Sequence, residues 1–283
     1  MQDFDLIMTP NMIDAFLDDL ISKERARNTI LKYRHDLIGF SDWMAGRPVT
    51  RELLLEYKHM LQSLGRAPSS INSILSALNC FTLWAGRGDL RIGFLKIQRR
   101  VFRDASQDLT RSDYTKLVDT AYTLGKNRLG LLLETLGATG IRISELKYLT
   151  VEAARDGRAE IDLKGKIRTI LIPGKLQTKL LDYAKRQNIS SGQLFLTSGG
   201  QPLSRQSIWR DMKHLAVKAG IPESKVYPHN FRHMFATVFY HSCKDIVKLA
   251  DVLGHSSVDT TRIYLISSER EHARQLDRLG LVR

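Results

Sequence analysis

The stretch AEIDLKGKIRTILIP, residues 159–173, alternates polar residues with β-branched and other apolar residues around the pair Lys164-Gly165. Alternation with a period of two is typical of half-buried strands, and a turn pair between two such runs predicts a β-hairpin. The sequence on either side has helical spacing instead, in residues 129–136 and again from residue 176 onward. We therefore predict a mainly α chain with one small antiparallel β-hairpin in its C-terminal domain.

The first 98 residues have the pattern of a small all-α bundle. Two amphipathic helices precede a turn at Pro48, Thr50 with Leu53 to Leu64 forms a further amphipathic segment, and Ser69-Ser70 are placed to cap another helix that ends near Trp84. Four helices in so short a stretch predict an N-terminal helical domain over residues 1–98. The apolar positions that define its first two helices are Met12, Ile13, Phe16, Leu17, Leu20, Ile21, Tyr33, Leu37, Phe40 and Trp43.

A poorly periodic stretch separates this bundle from a second domain. Residues 99–108 are interpreted as the linker, and its three arginines, at 99, 100 and 103, either follow a phosphate backbone or are solvated charges. Thr110 with Asp113 has the spacing of a helix N-cap and opens the C-terminal domain, residues 109–283. Gly137 and Gly140 are predicted to break the next helix. Ser267-Ser268 are placed to cap a short terminal helix.

Composition favours a soluble protein with a polyanionic partner. The 283 residues contain 43 Lys and Arg against 30 Asp and Glu, a net charge of +13, of which residues 1–103 contribute +4 and residues 104–283 contribute +9. Such charge suits a nucleic acid, although it also serves solubility alone. Neither a membrane-spanning stretch nor a secretory signal is recognisable, so a cytoplasmic protein is expected. Cys80 and Cys243 are flanked by apolar residues and are expected to be buried free thiols.

Four short motifs in the C-terminal half contain arginine, lysine, histidine and tyrosine residues that we single out as candidate site residues. They are ATGIRISEL at 138–146, LKGKIR at 163–168, HNFRH at 229–233 and LGHSSVDTTRIY at 253–264. Each also has a structural interpretation. Arg142 with Glu145 fits an i, i+3 helix pair in which Glu145 also orients the arginine, and Tyr264 alone fits a packed aromatic. His229 and His233 have the spacing of a zinc pair, but a third ligand and an intervening glutamate are missing, so no metal is expected.

Taken together, the four motifs resemble those of the tyrosine recombinases, the phage-integrase family. That pattern has an arginine box, a hairpin lysine, H-x-x-R, and L-G-H followed by a tyrosine about nine residues later. The resemblance implies six catalytic residues: Arg142, Lys164, His229, Arg232, His255 and Tyr264. Thr29, Tyr33, Leu37 and Phe40 match the family's core-binding helical domain, of SAM-like fold. The chain is similar to the short two-domain Xer-like members.

The implied chemistry is transesterification at a DNA phosphate. Tyr264 attacks, Arg142 and Arg232 clamp the phosphate, His229 takes or relays the tyrosine proton, and His255 donates a hydrogen bond to a phosphate oxygen. Lys164 protonates the departing 5′-oxygen, because an unassisted alkoxide leaves poorly. The hairpin is one residue shorter than the family pattern between its glycine and second lysine, so Lys166 remains an alternative. The basic residues Lys147, Lys166 and Arg168 are either DNA-backbone contacts or solvated charges.

The expected function is site-specific DNA strand exchange through a 3′-phosphotyrosine and a Holliday junction, without metal, ATP or other cofactor. The implied partners are double-stranded DNA at inverted-repeat sites and a tetramer of identical or paralogous chains. In the family the terminal helix docks on a neighbouring protomer, and self-packing is the alternative. Two competing hypotheses are a type IB topoisomerase-like DNA-relaxing enzyme and a non-catalytic DNA-binding regulator.

Overall fold

The computed structural model describes residues 6–97, 105–163, 166–255, 257–264 and 277–279. The chain divides into two compact units, residues 1–99 and 100–283. The described part is mainly helical and has one two-stranded antiparallel sheet, which confirms the predicted fold class. No helix in these ranges is both long and apolar enough to cross a membrane.

The first unit is the expected bundle of four helices. They are α1 (Pro10–Ser22), α2 (Arg27–Met44), α3 (Arg51–Ser63) and α4 (Pro68–Trp84). Thr50 caps α3, its hydroxyl accepting the Leu53 N–H at 3.1 Å. The predicted cap of α4 was wrong: the helix begins at Pro68, so Ser69 and Ser70 lie in its first turn. Proline suits the first helical position because it has no N–H to leave unpaired there.

Several aromatic rings meet in the otherwise aliphatic core of this unit. The ring of Phe16 lies 5.5 Å from that of Phe81 and 5.6 Å from that of Trp84, in edge-on arrangements, while Phe40 lies 5.0 Å from Tyr57. Phe16, Phe40 and Phe81 are at most 1% exposed. Side chains predicted from helical spacing therefore meet in one shared interior.

Two asparagines of α4 fasten the chain that follows it, an arrangement we call the asparagine strap. Asn79 donates to the Ile92 carbonyl at 3.0 Å and accepts the Ile92 N–H at 3.1 Å. Two helical turns earlier, Asn72 makes the same two bonds to Leu95, at 2.9 and 2.7 Å. Each amide thus supplies both the donor and the acceptor that a neighbouring strand would supply.

The second unit packs helices around the hairpin. Its elements are α5 (Arg111–Thr123), α6 (Asn127–Thr139), a 3₁₀ helix (Ile143–Tyr148), α7 (Val151–Asp156), β1 (Arg158–Leu163), β2 (Lys166–Leu171), α8 (Gly174–Arg186), α9 (Arg205–Lys218), α10 (Pro228–Cys243), α11 (Ile246–Leu253) and α12 (Val258–Arg262). Thr110 and Asp113 form the predicted reciprocal capping box of α5.

One predicted helix break in this unit is misplaced. Helix α6 continues through Gly137 and ends with Gly140 in the left-handed conformation. Gly137 is instead a site of close packing, because a Cβ there would lie 2.5 Å from the ring of Tyr114. Composition alone does not distinguish a glycine that ends a helix from one that admits a neighbouring ring.

The structure confirms the β-hairpin predicted from residues 159–173. β1 and β2 pair in antiparallel register, with Arg158 opposite Leu171 and Ile161 opposite Arg168. Lys164 and Gly165 lie outside the described residues, as do the side chains of residues 162–167.

The proposed linker and terminal helix fall largely outside the described residues. Residues 98–104 and most of the chain after Tyr264 are not described, so the boundaries at 98, 108 and 109 remain predictions. Cys80 and Cys243 are free thiols, but both are half-buried rather than buried as expected.

Candidate active site

Arg142 lies immediately before the 3₁₀ helix and is held by Glu145. One carboxylate oxygen of Glu145 accepts the Arg142 backbone N–H and the other accepts its guanidinium, both at 2.9 Å. Glu145 is 1% exposed, whereas the side chain of Arg142 is 41% exposed. The i, i+3 pair is therefore present, and its buried carboxylate holds and orients a guanidinium that still reaches solvent.

Arg232, on the first turns of α10, is buried at the centre of the site. It is 2% exposed and donates to the carbonyls of Gly140 and Leu253. Burial, and then the nearby Arg142 guanidinium, lower its pKa, while a hydrogen bond with the Tyr264 hydroxyl raises it. Its Nε has no hydrogen-bond partner among the described residues. A buried donor left in this way can take an anionic acceptor.

Gly140 is required at its position for two reasons. Its φ of +60° is left-handed, and a Cβ would lie 2.4 Å from the ring of Phe235. Just before it, the Thr139 hydroxyl accepts the Ile141 N–H at 3.3 Å. These local interactions turn the chain so that the Gly140 carbonyl faces Arg232 and Arg142 follows two residues later.

His255 follows α11 and is fixed at both ring nitrogens. Its Nε2 lies 2.9 Å from Nη2 of Arg232, and its Nδ1 lies 2.8 Å from the Thr261 hydroxyl. A guanidinium can only donate, so Nε2 accepts and the proton is assigned to Nδ1, which donates to Thr261. Burial, followed by the charges of Arg232 and Arg142, lowers the pKa of His255 to about 4. The imidazole is therefore neutral near pH 7.

Tyr264 lies among three imidazoles of the same chain. Its ring centroid is 5.7 Å from that of His255, nearly parallel, 5.6 Å from His229 and 5.5 Å from His233. The tyrosine is 5% exposed, and its hydroxyl lies close enough to the Arg232 guanidinium to raise the pKa of that arginine. The structure thus brings together five of the six residues singled out in the sequence.

The sixth residue, Lys164, lies outside the described part of the chain. Lys166 pairs through its backbone with Leu163 at the end of the ladder. Neither lysine is placed relative to Tyr264, so the choice between them stays a prediction. Among the described residues, no group of three or more His, Cys, Asp or Glu side chains could hold a metal ion.

Sequence reasoning did not identify Arg168 as part of this site. It was left among DNA contacts and solvated charges, yet its side chain is only 10% exposed and bonds to both oxygens of Glu145. A signal was present: Arg168, Ile170 and Ile172 share one face by alternation, and both isoleucines are buried. Thr261, fully buried beside His255, was also missed.

Comparison with protein families now separates the hypotheses. The model of the phage integrase family matches residues 107–271, and that of the family's N-terminal SAM-like domain matches residues 13–88. The chain belongs to the phage integrase family. Its curated relatives are recombinases, and this member of the phage integrase family is a tyrosine recombinase of the same kind. The family assignment favours recombination over the topoisomerase-like and non-catalytic hypotheses.

The similarity of this phage integrase family member extends over most of its length. It is 30% identical to the tyrosine recombinase XerA of Pyrococcus furiosus, over 96% of this chain and 94% of that relative. It is 32% identical to XerD of Xanthomonas campestris, over 93% of this chain and 90% of the relative. Among solved structures, XerH bound to a palindromic difH substrate aligns at a TM-score of 0.70 and 18% identity, covering 91% of this chain and 85% of that one. A lambda integrase dimer bound to a core site aligns at 0.69 and 19%, covering 90% and 94%.

Proposed function

We propose that this tyrosine recombinase cleaves and rejoins double-stranded DNA through a covalent bond between Tyr264 and a 3′-phosphate. The observation that carries the proposal is the position of Tyr264, buried among three imidazoles with its hydroxyl on Arg232. A phenol has an ordinary pKa near 10, so attack at neutral pH requires a group that receives its proton. The bond energy of the phosphodiester is retained in the phosphotyrosine, and rejoining therefore requires no ATP.

The charge of the site supports a role for both arginines at the scissile phosphate. Three guanidiniums, Arg142, Arg168 and Arg232, surround the single carboxylate of Glu145. The excess positive charge favours a phosphate and, still more, the transition state with its additional negative charge. Arg142 offers donors that reach solvent, and Arg232 offers its buried Nε. Arginine suits both positions because its planar fork can hold two oxygens at once.

The histidines are proposed to handle protons and hydrogen bonds. His229 lies on the first turn of α10, and its ring lies beside that of Tyr264, which supports it as the acceptor or relay of the phenol proton. His255 has a different task. To donate to a phosphate oxygen, Nε2 of His255 must carry a proton. It can then no longer accept the hydrogen bond from Arg232. A phosphate oxyanion favours both changes, because it attracts the guanidinium and raises the pKa of the imidazole.

The hairpin lysine is proposed to protonate the departing 5′-oxygen. Lys164 remains the first candidate and Lys166 the alternative. The hairpin is anchored beside the site through Arg168, which supports a lysine from this turn reaching the scissile phosphate. Neither a metal ion nor another cofactor has a role in these steps.

The biological setting is proposed from the family. DNA at inverted-repeat sites is the partner, and four subunits, identical or paired with a paralogue, exchange strands through a Holliday junction in the cytoplasm. The net charge of +13 supports a DNA partner. The XerH and lambda integrase structures are of DNA-bound proteins, which supports the same partner class. The terminal segment is proposed to link neighbouring protomers.

A covalent-capture experiment tests the proposed function. Fragments of the genome that encodes this chain are incubated with wild-type protein, Tyr264→Phe or Tyr240→Phe in EDTA, and the reaction is stopped with denaturing detergent. Tyr240 belongs to the same small apolar cluster as Tyr264, so its substitution is a matched control. We expect protein–DNA adducts with wild type and Tyr240→Phe only, and sequencing of the captured DNA gives the target site.

Two results contradict the proposal. Adducts with Tyr264→Phe at the wild-type level mean that another residue is the nucleophile. Absence of adducts with wild type on DNA that it demonstrably binds means that the chain binds DNA without cleaving it.

A further inference from the structure

We propose that Arg168 is a positioning residue that ties the β-hairpin to the two other parts of the site, the Arg142–Glu145 pair and the turn carrying His255. The inference rests on the proposed function, because the groups it positions are those assigned to DNA cleavage. It replaces the expectation that Arg168 is a DNA-backbone contact or a solvated charge.

The hydrogen bonds of Arg168 face inward. Nη1 donates to both carboxylate oxygens of Glu145, at 3.0 and 3.2 Å, and Nη2 donates to the Val252 carbonyl at 3.3 Å. The partners are 23 and 84 positions away in the chain. Its side chain is 10% exposed, and burial lowers its pKa to about 10, so it remains charged at neutral pH. Both terminal nitrogens are thus engaged inside the protein. The remaining donor, Nε, has no hydrogen-bond partner among the described residues, but it is buried against Gly254 rather than exposed to a DNA backbone.

Close packing adds a steric constraint to these bonds. Gly254 has a φ of +63°, and a Cβ there would lie 2.1 Å from Cδ and 2.7 Å from Nε of Arg168. The arginine therefore lies directly against the backbone that leads into His255. Any displacement of its side chain must move this turn or break the bond to Val252.

The position of Arg168 in the sheet extends the tie to the hairpin. Its backbone is paired with Ile161 in the middle of the ladder, and it follows Lys166 by two residues. Glu145 bonds to Arg142 and Arg168 together, so one buried carboxylate joins the 3₁₀ helix to β2. Arg168 is thus the shared contact between the hairpin, the arginine box and the histidine turn.

The residue type follows from this geometry. A planar fork can bind Glu145 with one nitrogen and the Val252 carbonyl with another, whereas a lysine ammonium is a compact charge on a flexible stem. Arg168→Lys therefore keeps a positive charge beside the buried Glu145 while losing the bridge. Misplacement of catalytic groups by about 1 Å can cost on the order of 100-fold in rate.

The test compares Arg168→Lys and Arg168→Met with wild type on nicked duplexes carrying the captured target site. One duplex has the natural 5′-oxygen at the scissile phosphate, and the other has a 5′-bridging sulfur. A thiolate leaves without a proton, so the sulfur duplex does not need the hairpin lysine. Arg158→Lys is the matched control, because Arg158 is an exposed arginine on the same hairpin. Covalent-complex formation is followed in single turnover, and DNA affinity is measured at several salt concentrations.

We expect Arg168→Lys to lower the rate of covalent-complex formation at least about 10-fold on both duplexes. DNA affinity and its salt dependence are expected to stay within about twofold of wild type, and Arg158→Lys to behave as wild type. Wild-type rates in both Arg168 variants overturn the proposal. A rate loss confined to the 5′-oxygen duplex also overturns it, because Arg168 then acts only through the hairpin lysine. A rate loss accompanied by weaker, less salt-dependent DNA binding overturns it as well, because Arg168 is then a phosphate contact.

Two further comparisons distinguish a failure of the Arg168 proposal from misfolding of a variant and from failure of the proposed function. If Arg168→Met melts early, Arg168→Lys decides the question, because it leaves Glu145 paired with a cation. Wild type and Tyr264→Phe are run beside the variants. A wild-type protein that forms no adduct contradicts the proposed function itself, whereas an active wild type with an equally active Arg168→Lys contradicts only the role of Arg168.

Discussion

At the scale of single residues, the tautomer and charge of His255 are set by its neighbours. Arg232 donates to Nε2 and Thr261 accepts from Nδ1, and the guanidiniums around the ring oppose its protonation. A histidine whose pKa is lowered on folding binds fewer protons in the folded than in the unfolded chain. Stability is then lost as the pH falls from the unfolded pKa of about 6.5 towards the folded value of about 4.

His255→Gln removes this proton linkage. We expect the variant to lose less of its melting temperature than wild type between pH 6.5 and pH 4. Calorimetry in small pH steps measures the difference, and His59→Gln on the exposed surface of α3 is the control. Parallel pH curves for wild type and His255→Gln contradict a depressed pKa at this position.

The residues that could be predicted were those whose motif is local. Arg142, His229, Arg232, His255 and Tyr264 each stand in a short recognisable stretch, and the fold brings them together. Arg168 and Thr261 were missed because their roles depend on distant partners. Arg168 became a buried tie only through Glu145 and Val252, contacts that no local spacing contains.

At the scale of elements, the asparagine strap contributes to the stability of the first unit. Asn79 is buried and serves both peptide groups of Ile92, so Asn79→Ala leaves a donor and an acceptor unpaired in the interior. We expect a loss of about 3 kcal/mol. Asn72→Ala, at a half-buried position with the same pair of bonds, is expected to cost about 1 kcal/mol, because water can replace them.

Urea unfolding in a Trp209→Phe background measures this difference. The remaining tryptophans, Trp43 and Trp84, both lie in the first unit and report its unfolding. Equal losses for the two asparagine variants mean that burial does not control the strength of the strap.

Periodicity predicted the existence of most elements, and tertiary contacts decided their ends. The four N-terminal helices and the hairpin were read from apolar spacing. Apolar spacing did not predict that α4 starts at Pro68 or that α6 continues through Gly137. A proline at the first helical position and a ring packed on a glycine leave no periodic signal.

At the scale of the whole molecule, the described chain places Tyr264, the proposed nucleophile, beside its own arginines. The Tyr264 hydroxyl interacts with Arg232 of the same chain and raises the pKa of that arginine. A mixture of Tyr264→Phe and Arg142→Gln subunits should therefore form no more covalent complex than the variants alone, at least about 100-fold below wild type. A gel-based adduct assay on the captured site checks this. Recovery of adducts in the mixture means that the tyrosine acts on the site of a neighbouring chain.

The asparagine strap also bears on how such proteins can be recombined as genes. The N-terminal family match ends at residue 88, yet the backbone that satisfies Asn72 and Asn79 lies at Ile92 and Leu95. In a hybrid enzyme joined at residue 88, the side-chain amides of Asn72 and Asn79 must bond to backbone groups that another protein's sequence supplies. A junction after residue 97 carries the strap intact, so the exchangeable module is about nine residues longer than the family match.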